Sequence, residues 1–239
     1  MKLLIDAGNS RVKWALCEQG RIVEQGALLH AELPSLAERW ATHPVTEAWG
    51  ACVAGAQVKA GLEAASRHPI HWVTSEAARG GVRNYYRNVA EQGVDRWLAV
   101  LGARALHPGS DLVIALAGTA LTVEALTADG DYLGGAILPG ARLMLGALSH
   151  NTAQLKREPG AWHEFPDNTP DALATGVWDA LAGAVERMRS RLAEQTGRPS
   201  PRLLISGGDA PMLADCLTGP ADLVDNLVLL GLMSVADCR

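Results

Sequence analysis

Three short segments hold residues whose types and order suit phosphate and hydroxyl chemistry. The first is Asp6-Ala7-Gly8-Asn9-Ser10-Arg11-Val12-Lys13. Asp6 ends the apolar run Leu3-Leu4-Ile5, so its carboxylate leaves the end of a buried strand. Successive N–H groups of the glycine turn that follows can form a nest for an anion. Asp6 can hold Mg²⁺ directly or through water, and Lys13 on the returning strand can neutralise phosphate charge. An ordinary hairpin with a turn aspartate would show the same pattern. No GxxxxGKS/T sequence occurs, nor the protein-kinase motif set, so a nucleotide would need a different cradle.

The second segment is Gly93-Val94-Asp95-Arg96. An Asp in a first helical turn is commonly only a favourable partner of the helix dipole. Here Gly93 lets backbone approach a ligand, Asp95 can accept a hydroxyl proton as a general base, and Arg96 can bind a carboxylate through two N–H groups. A small molecule with a hydroxyl at one end and a carboxylate at the other suits the pair. The third segment is Ala117-Gly118-Thr119-Ala120, another strand–glycine–strand turn. A later Ser206-Gly207-Gly208-Asp209 again puts glycines after a strand.

These residues need elements to hold them. Residues 2–6, 12–17 and 22–27 read as a three-stranded meander, and residues 111–138 read as a second. The two overlay at a constant offset of 110, pairing Gly8 with Gly118 and Gly20 with Gly130. Such self-similarity predicts two copies of one α/β module, divided at 1–108 and 109–239. Helices are expected over 33–41, 58–67, 94–105, 142–153, 171–195, 211–217 and 227–236, and further strands over 47–53, 70–73 and 202–206. Residues 76–88 read as loop. Strands alternating with helices, without a low-complexity linker, give an α/β class.

The 239 residues are 48% hydrophobic and carry a net charge of −5, with Arg scattered along the chain, which disfavours a nucleic-acid footprint. Cys17, Cys52, Cys216 and Cys238 form no CxxC pair and read as reduced thiols of a cytoplasmic protein. Met1-Lys2-Leu3-Leu4-Ile5-Asp6 is too short in apolar residues for an export signal. The longest apolar region, Leu112 to Leu126, is broken by Gly118, Thr119 and Thr122 and falls short of a membrane span.

The ordered set Asp6-x-Gly8-Asn9-Ser10, Gly93-x-Asp95-Arg96, Gly118-Thr119-Ala120-x-Thr122 and Gly134-Gly135-Ala136-Ile137-x-Pro139-Gly140 resembles the type III pantothenate kinases, from residue 1 to about residue 210. The resemblance implies duplicated ribonuclease H-like modules of the actin/sugar-kinase superfamily with an interdomain ATP cleft. It also implies ATP-dependent phosphorylation of pantothenate, the first step of coenzyme A biosynthesis. On it, residues 6–13 and Gly118 with Thr119 would contact ATP, with Mg²⁺ at Asp6. Asp95 would be the base. Gly93, Val94, Asp95, Arg96, Tyr86 and Thr169 would contact pantothenate. The alternative reading has Tyr86 packing a loop and Thr169 capping the helix that Pro170 begins. The resemblance further implies a homodimer and a monovalent cation, K⁺ or NH₄⁺. Leu116 stands where many members carry the cation's Asp, and Arg87-Asn88-Val89 lacks the family's usual Pro. A kinase of another small hydroxy-acid, or an accessory regulator of the Bvg accessory factor type, are the other readings of this scaffold.

Overall fold

The computed structural model describes residues 1–152, 155 and 158–237. Cys238, and Ala153 at the end of one expected helix, lie outside the described residues. The chain divides into two compact units, Met1–Pro108 with Asn226–Arg239, and Gly109–Asp225.

In the first unit, β1 (Lys2–Ala7), β2 (Arg11–Glu18) and β3 (Arg21–Leu29) form the expected antiparallel meander. A short 3₁₀ segment, His30–Ser35, leads into α1 (Leu36–Ala41), so the single helix expected over 33–41 is split, with Pro34 inside its first part. Next come β4 (Glu47–Cys52), α2 (Ala56–Ala65) and β5 (Ile70–Trp72). The sheet order is β3-β2-β1-β4-β5, with β4 parallel to β1 and β5 parallel to β4. Leu3, Ile5, Val12, Trp14 and Leu16 on one face pack on Leu36, Trp40, Val58 and Leu62. Leu4 and Ala15 point the other way and are equally buried. A strand covered on both faces reads as a continuous apolar run, as β1 does. Residues 76–88 are not all loop: β6 (Ala78–Arg79) and β7 (Val82–Asn84) make a small hairpin around Gly80-Gly81, both at positive φ. Helix α3 (Val94–Leu106) follows.

The second unit repeats this plan. β8 (Leu112–Ala117), β9 (Ala120–Leu126) and β10 (Asp131–Pro139) are antiparallel, then α4 (Ala141–Asn151) and α5 (Thr169–Thr196) intervene. β11 (Arg202–Ser206), α6 (Ala210–Asp215) and β12 (Asp222–Leu223) complete it, β11 and β12 running parallel to β8. The five strands of this unit are ordered β12-β11-β8-β9-β10, the counterpart of β5-β4-β1-β2-β3. The duplication holds, but the gap-free offset does not. Ala7 pairs with Val12, whereas Ala117 pairs with Leu121, so the second turn is one residue shorter. The two-residue β12 carried no sequence signal of its own.

α5 begins where Asn168 accepts a hydrogen bond from the Asp171 N–H, with Pro170 in its first turn, and stops at Gly197 with φ of 68°. Val177, Leu181, Val185 and Leu192 lay its apolar stripe on Val113, Ala115, Val123 and Ile205. Asp111 ties the unit's edge: its carboxylate accepts from Arg198 Nε and Nη2 (2.7 and 2.8 Å), Thr196 Oγ1 and the Ala128 N–H. The Arg198 hydrogen bond holds its carboxyl below the usual carboxylate range.

The last helix, α7 (Leu227–Val235), belongs with the first unit rather than with residues 109–225. It packs along α3 at very short range. A Cβ on Gly102 would sit 2.6 Å from the Leu227 carbonyl oxygen, and one on Gly231 would land on the Leu98 carbonyl. Small residues here let two backbones touch, and that fit was invisible from sequence spacing. Gly231→Ala is expected to lower unfolding stability by about 2–3 kcal/mol. Gly183→Ala, in open space on α5, should raise it by about 0.5–1 kcal/mol. Urea denaturation of the two variants checks both signs.

Candidate active site

β1 and β2 place Asp6 directly opposite Lys13, so carboxylate and ammonium leave one end of the hairpin together. Ala7 and Val12 are buried in the core and offer the site only backbone. Between them Gly8 N–H donates to the Arg11 carbonyl (3.1 Å), closing the turn, while Asn9, Ser10 and Arg11 stay exposed. Burial pushes the Asp6 carboxyl up to about 7. Lys13 opposes that shift, and the negative charge of Asp95 adds to it. Asp6 and Asp95, 89 positions apart in sequence, therefore sit with Lys13 within electrostatic reach in one unit.

Asp95 lies in the first turn of α3. Its Oδ1 accepts from the Arg96 N–H at 2.9 Å, which fixes the carboxylate over the helix N-terminus. Gly93 is the residue before the helix, and a Cβ there would stand 2.6 Å from that same Oδ1. The glycine is thus required by the carboxylate's placement. Val94 is half-buried. Arg96 is 4% exposed, donates from Nη1 to the Tyr86 hydroxyl at 2.8 Å, and lies 5.5 Å from the Tyr86 ring centroid. Tyr86 and Arg96, for both of which the resemblance implies a pantothenate contact, thus touch one another. Sequence reasoning missed what steadies them. Asn84 accepts from the Tyr86 N–H (3.0 Å) and donates to Gln92 Oε1 (2.7 Å), and the Gln92 amide nitrogen is buried without a partner. The sequence offered only Asn84 and Gln92, two amides flanking Tyr86 at two and six residues, as a signal.

In the second unit, Gly118 N–H donates to the Ala120 carbonyl, and Gly140 N–H to the Thr119 carbonyl. A side chain on Gly140 would collide with the Gly118 carbonyl, and one on Gly207 with the Ala117 carbonyl. Asp209 N–H also donates to Ala117. The glycines at 118, 140 and 207 therefore converge on one turn, which gives the repeated glycine motifs their physical meaning. Leu116 lies between Thr122 on β9 and Ser206 on β11. Its hydrocarbon side chain offers no cation ligand, and the buried Thr122 hydroxyl is without a hydrogen-bond partner. Thr169 lines a pocket of about 430 Å³ with Pro166, Asp167 and Asn168. Asn168, not Thr169, supplies the helix cap. Among the described residues there is no cluster of three or more metal-ligating side chains, and no helix is long and apolar enough to cross a membrane.

The fold is that of the actin/sugar-kinase superfamily. A 2-dehydro-3-deoxygalactonokinase structure from Sinorhizobium meliloti superposes with a TM-score of 0.62 at 14% identity, covering 99% of this chain and 98% of its own. A Baf family transcriptional activator from Campylobacter jejuni gives 0.62 at 20% identity, with 98% and 97% covered. The activator of 2-hydroxyisocaproyl-CoA dehydratase from Clostridium difficile gives 0.52 at 13%, with 98% and 93% covered. The model of the type III pantothenate kinases matches residues 2–191. The type III pantothenate kinase of Chromobacterium violaceum is 56% identical over 237 residues, spanning 99% of this chain and 100% of the relative. That of Aromatoleum aromaticum is 48% identical over 240 residues, with 99% and 98% spanned. The chain belongs to the type III pantothenate kinase family and is a kinase.

The raised Asp6 pKa has a consequence for stability. In the fold the carboxyl holds its proton up to about pH 7, while an unfolded chain releases it near 3.8. Stability is thus lost as pH rises from about 4 to 7 and stays lost above that. Without divalent cations, Asp6→Asn should gain on the wild type across that window and level off above it. The extra margin at pH 8 over pH 5 should be about 2 kcal/mol, or about 4–8 °C in Tm. Thermal unfolding at the two pH values in EDTA reads it.

Proposed function

We propose that the protein transfers the γ-phosphoryl group of ATP to the primary hydroxyl of pantothenate, forming 4′-phosphopantothenate at the first step of coenzyme A biosynthesis. The observation that carries this reading is the grouping of Asp6, Lys13 and Asp95, with the Arg96–Tyr86 pair one residue further along α3. Family membership supplies the substrate.

In this reading Asp95 accepts the proton of the pantothenate hydroxyl, its carboxylate held in place by the Arg96 N–H. Arg96 and Tyr86, joined at 2.8 Å, take the substrate's carboxylate end, and Gly93 and Val94 line the approach. Thr169, on its open pocket, contacts the remainder of the substrate. The N–H groups of Asn9 and Ser10 and the Lys13 ammonium hold the ATP phosphates, with Gly8 closing the turn beneath them, and Gly118 with Thr119 contact ATP from the second unit's turn. Phosphoryl transfer asks the protein mainly for position and charge neutralisation, which these groups provide. Asp6 fits Mg²⁺, since a carboxylate pushed up by burial and by a second carboxylate gains from a divalent cation nearby. Bound there, directly or through water, Mg²⁺ would neutralise phosphate charge. The residues around Leu116 do not fit a monovalent cation.

We also take the working form to be a homodimer in the cytoplasm. The exposed Leu133 and Ile137 on β10 favour a partner surface, and Cys17, Cys52 and Cys216 are unpaired. Retention of Asp95 and Arg96 in a built site favours catalysis over a purely regulatory role.

The purified protein should phosphorylate pantothenate with ATP. Asp95→Asn should lose about 100-fold or more in kcat, with pantothenate binding, followed by calorimetry, within about threefold of wild type. The wild-type rate should be the same in K⁺, NH₄⁺ or Na⁺. No product with folded wild type sinks the assignment, and full activity of Asp95→Asn sinks the base.

A further inference from the structure

The Gly8 carbonyl does not face solvent unpartnered. His30 Nε2 lies 2.9 Å from it, across 22 residues of sequence. A carbonyl oxygen only accepts, so Nε2 carries the hydrogen and donates. His30 arrives there because β3 pairs with β2 up to Leu29 opposite Arg11, which sets the next residue beside the turn. The 3₁₀ segment it opens is itself fixed. Glu32 accepts from the Leu29 N–H at 2.8 Å, and the Ser35 hydroxyl donates to the Glu32 carbonyl at 2.7 Å.

The peptide joining Gly8 to Asn9 is trans, as no cis peptide occurs among the described residues, so its C=O and N–H point in opposite directions. Holding the carbonyl on His30 therefore aims the Asn9 N–H away from His30, on the turn's open side, where Asn9 and Ser10 are exposed. The Gly8 N–H is already committed to Arg11. Without His30 the 8–9 peptide is free to flip, and a flipped peptide would present a carbonyl oxygen to an anion.

We propose that His30 is a positioning residue for the nucleotide: it locks the Gly8–Asn9 peptide so that the turn offers N–H groups, not carbonyls, to the phosphates. This rests on the phosphate reading of residues 6–13. Nothing in it requires His30 to touch a substrate. The test uses His30→Leu, which fills the space without a donor, and His30→Gln, whose amide restores one. Lys13→Ala reports on the turn independently. Titration calorimetry with Mg²⁺ and a non-hydrolysable ATP analogue should show about five- to tenfold weaker binding for His30→Leu, the worth of one lost hydrogen bond. KM for ATP should rise in step, KM for pantothenate should stay within about twofold, and His30→Gln should bind within about twofold of wild type. Wild-type nucleotide affinity in His30→Leu, with Lys13→Ala weakened, overturns the role of His30 and leaves the phosphate turn standing. Wild-type affinity in Lys13→Ala overturns the phosphate reading, and the role of His30 with it. Equal weakening in His30→Leu and His30→Gln, with a matching fall in Tm, assigns the residue to packing and also overturns the proposal.

Discussion

A carboxylate set at the end of a strand buried on both faces is the constraint around which the first unit is organised. β1 must be apolar to sit at the centre of its sheet, and Asp6 is the point at which that apolar run meets the site. Burial makes its negative charge costly. Lys13, opposite it on β2, offsets part of that cost, and Asp95 adds to it. Stability alone gives no reason for the Asp6 carboxylate to be there. Two carboxylates held close enough that one raises the other's pKa are the kind of arrangement found at functional sites, where a cation can offset the charge.

The same economy of backbone appears in the second unit with a different chemistry. Its turn at 117–119 carries no carboxylate; it is instead pressed by Gly140 and Gly207, each too close to carbonyl oxygens to admit a side chain. Such contact leaves the turn little room to move. The Glu124 carboxylate, fully buried, accepts from the Tyr132 hydroxyl at 2.7 Å, and Gly135 stays glycine because a side chain would strike that carboxylate. The run Gly134-Gly135 to Pro139-Gly140 is therefore a packing requirement of β9 and β10 as much as a binding motif.

Much of this was legible from the residues. Glycine turns after apolar strands and a doubled meander predict an α/β fold of two repeated modules, and the family resemblance assigns Asp6, Lys13, Asp95 and Arg96 to one site. What was not legible depended on contacts without a period. The α3–α7 packing needs Gly102 and Gly231 to meet Leu227 and Leu98, and no spacing along the chain announces it. The β6–β7 hairpin is two residues against three, below the length at which alternation is detectable. The missing residue in the second turn escaped because Gly20 and Gly130 restore the alignment after it. His30 carried only the signal of a lone histidine after a strand.

Leu116 marks where duplication stopped being copying. By topology β8 is the counterpart of β1, and Leu116 stands one residue before Ala117 as Asp6 stands before Ala7. With Leu in place, the site gives up a charge and leaves the Thr122 hydroxyl unpartnered on the neighbouring strand. A buried hydroxyl without a partner costs free energy on the order of 1–3 kcal/mol, while the leucine recovers apolar burial of similar size. The two terms are of similar size, so the leucine leaves the stability of this strand pair close to balance. The two halves of the repeated fold thus differ at the same position: a carboxylate opposite Lys13 in the first, and a leucine opposite Thr122 beside a glycine-pressed turn in the second.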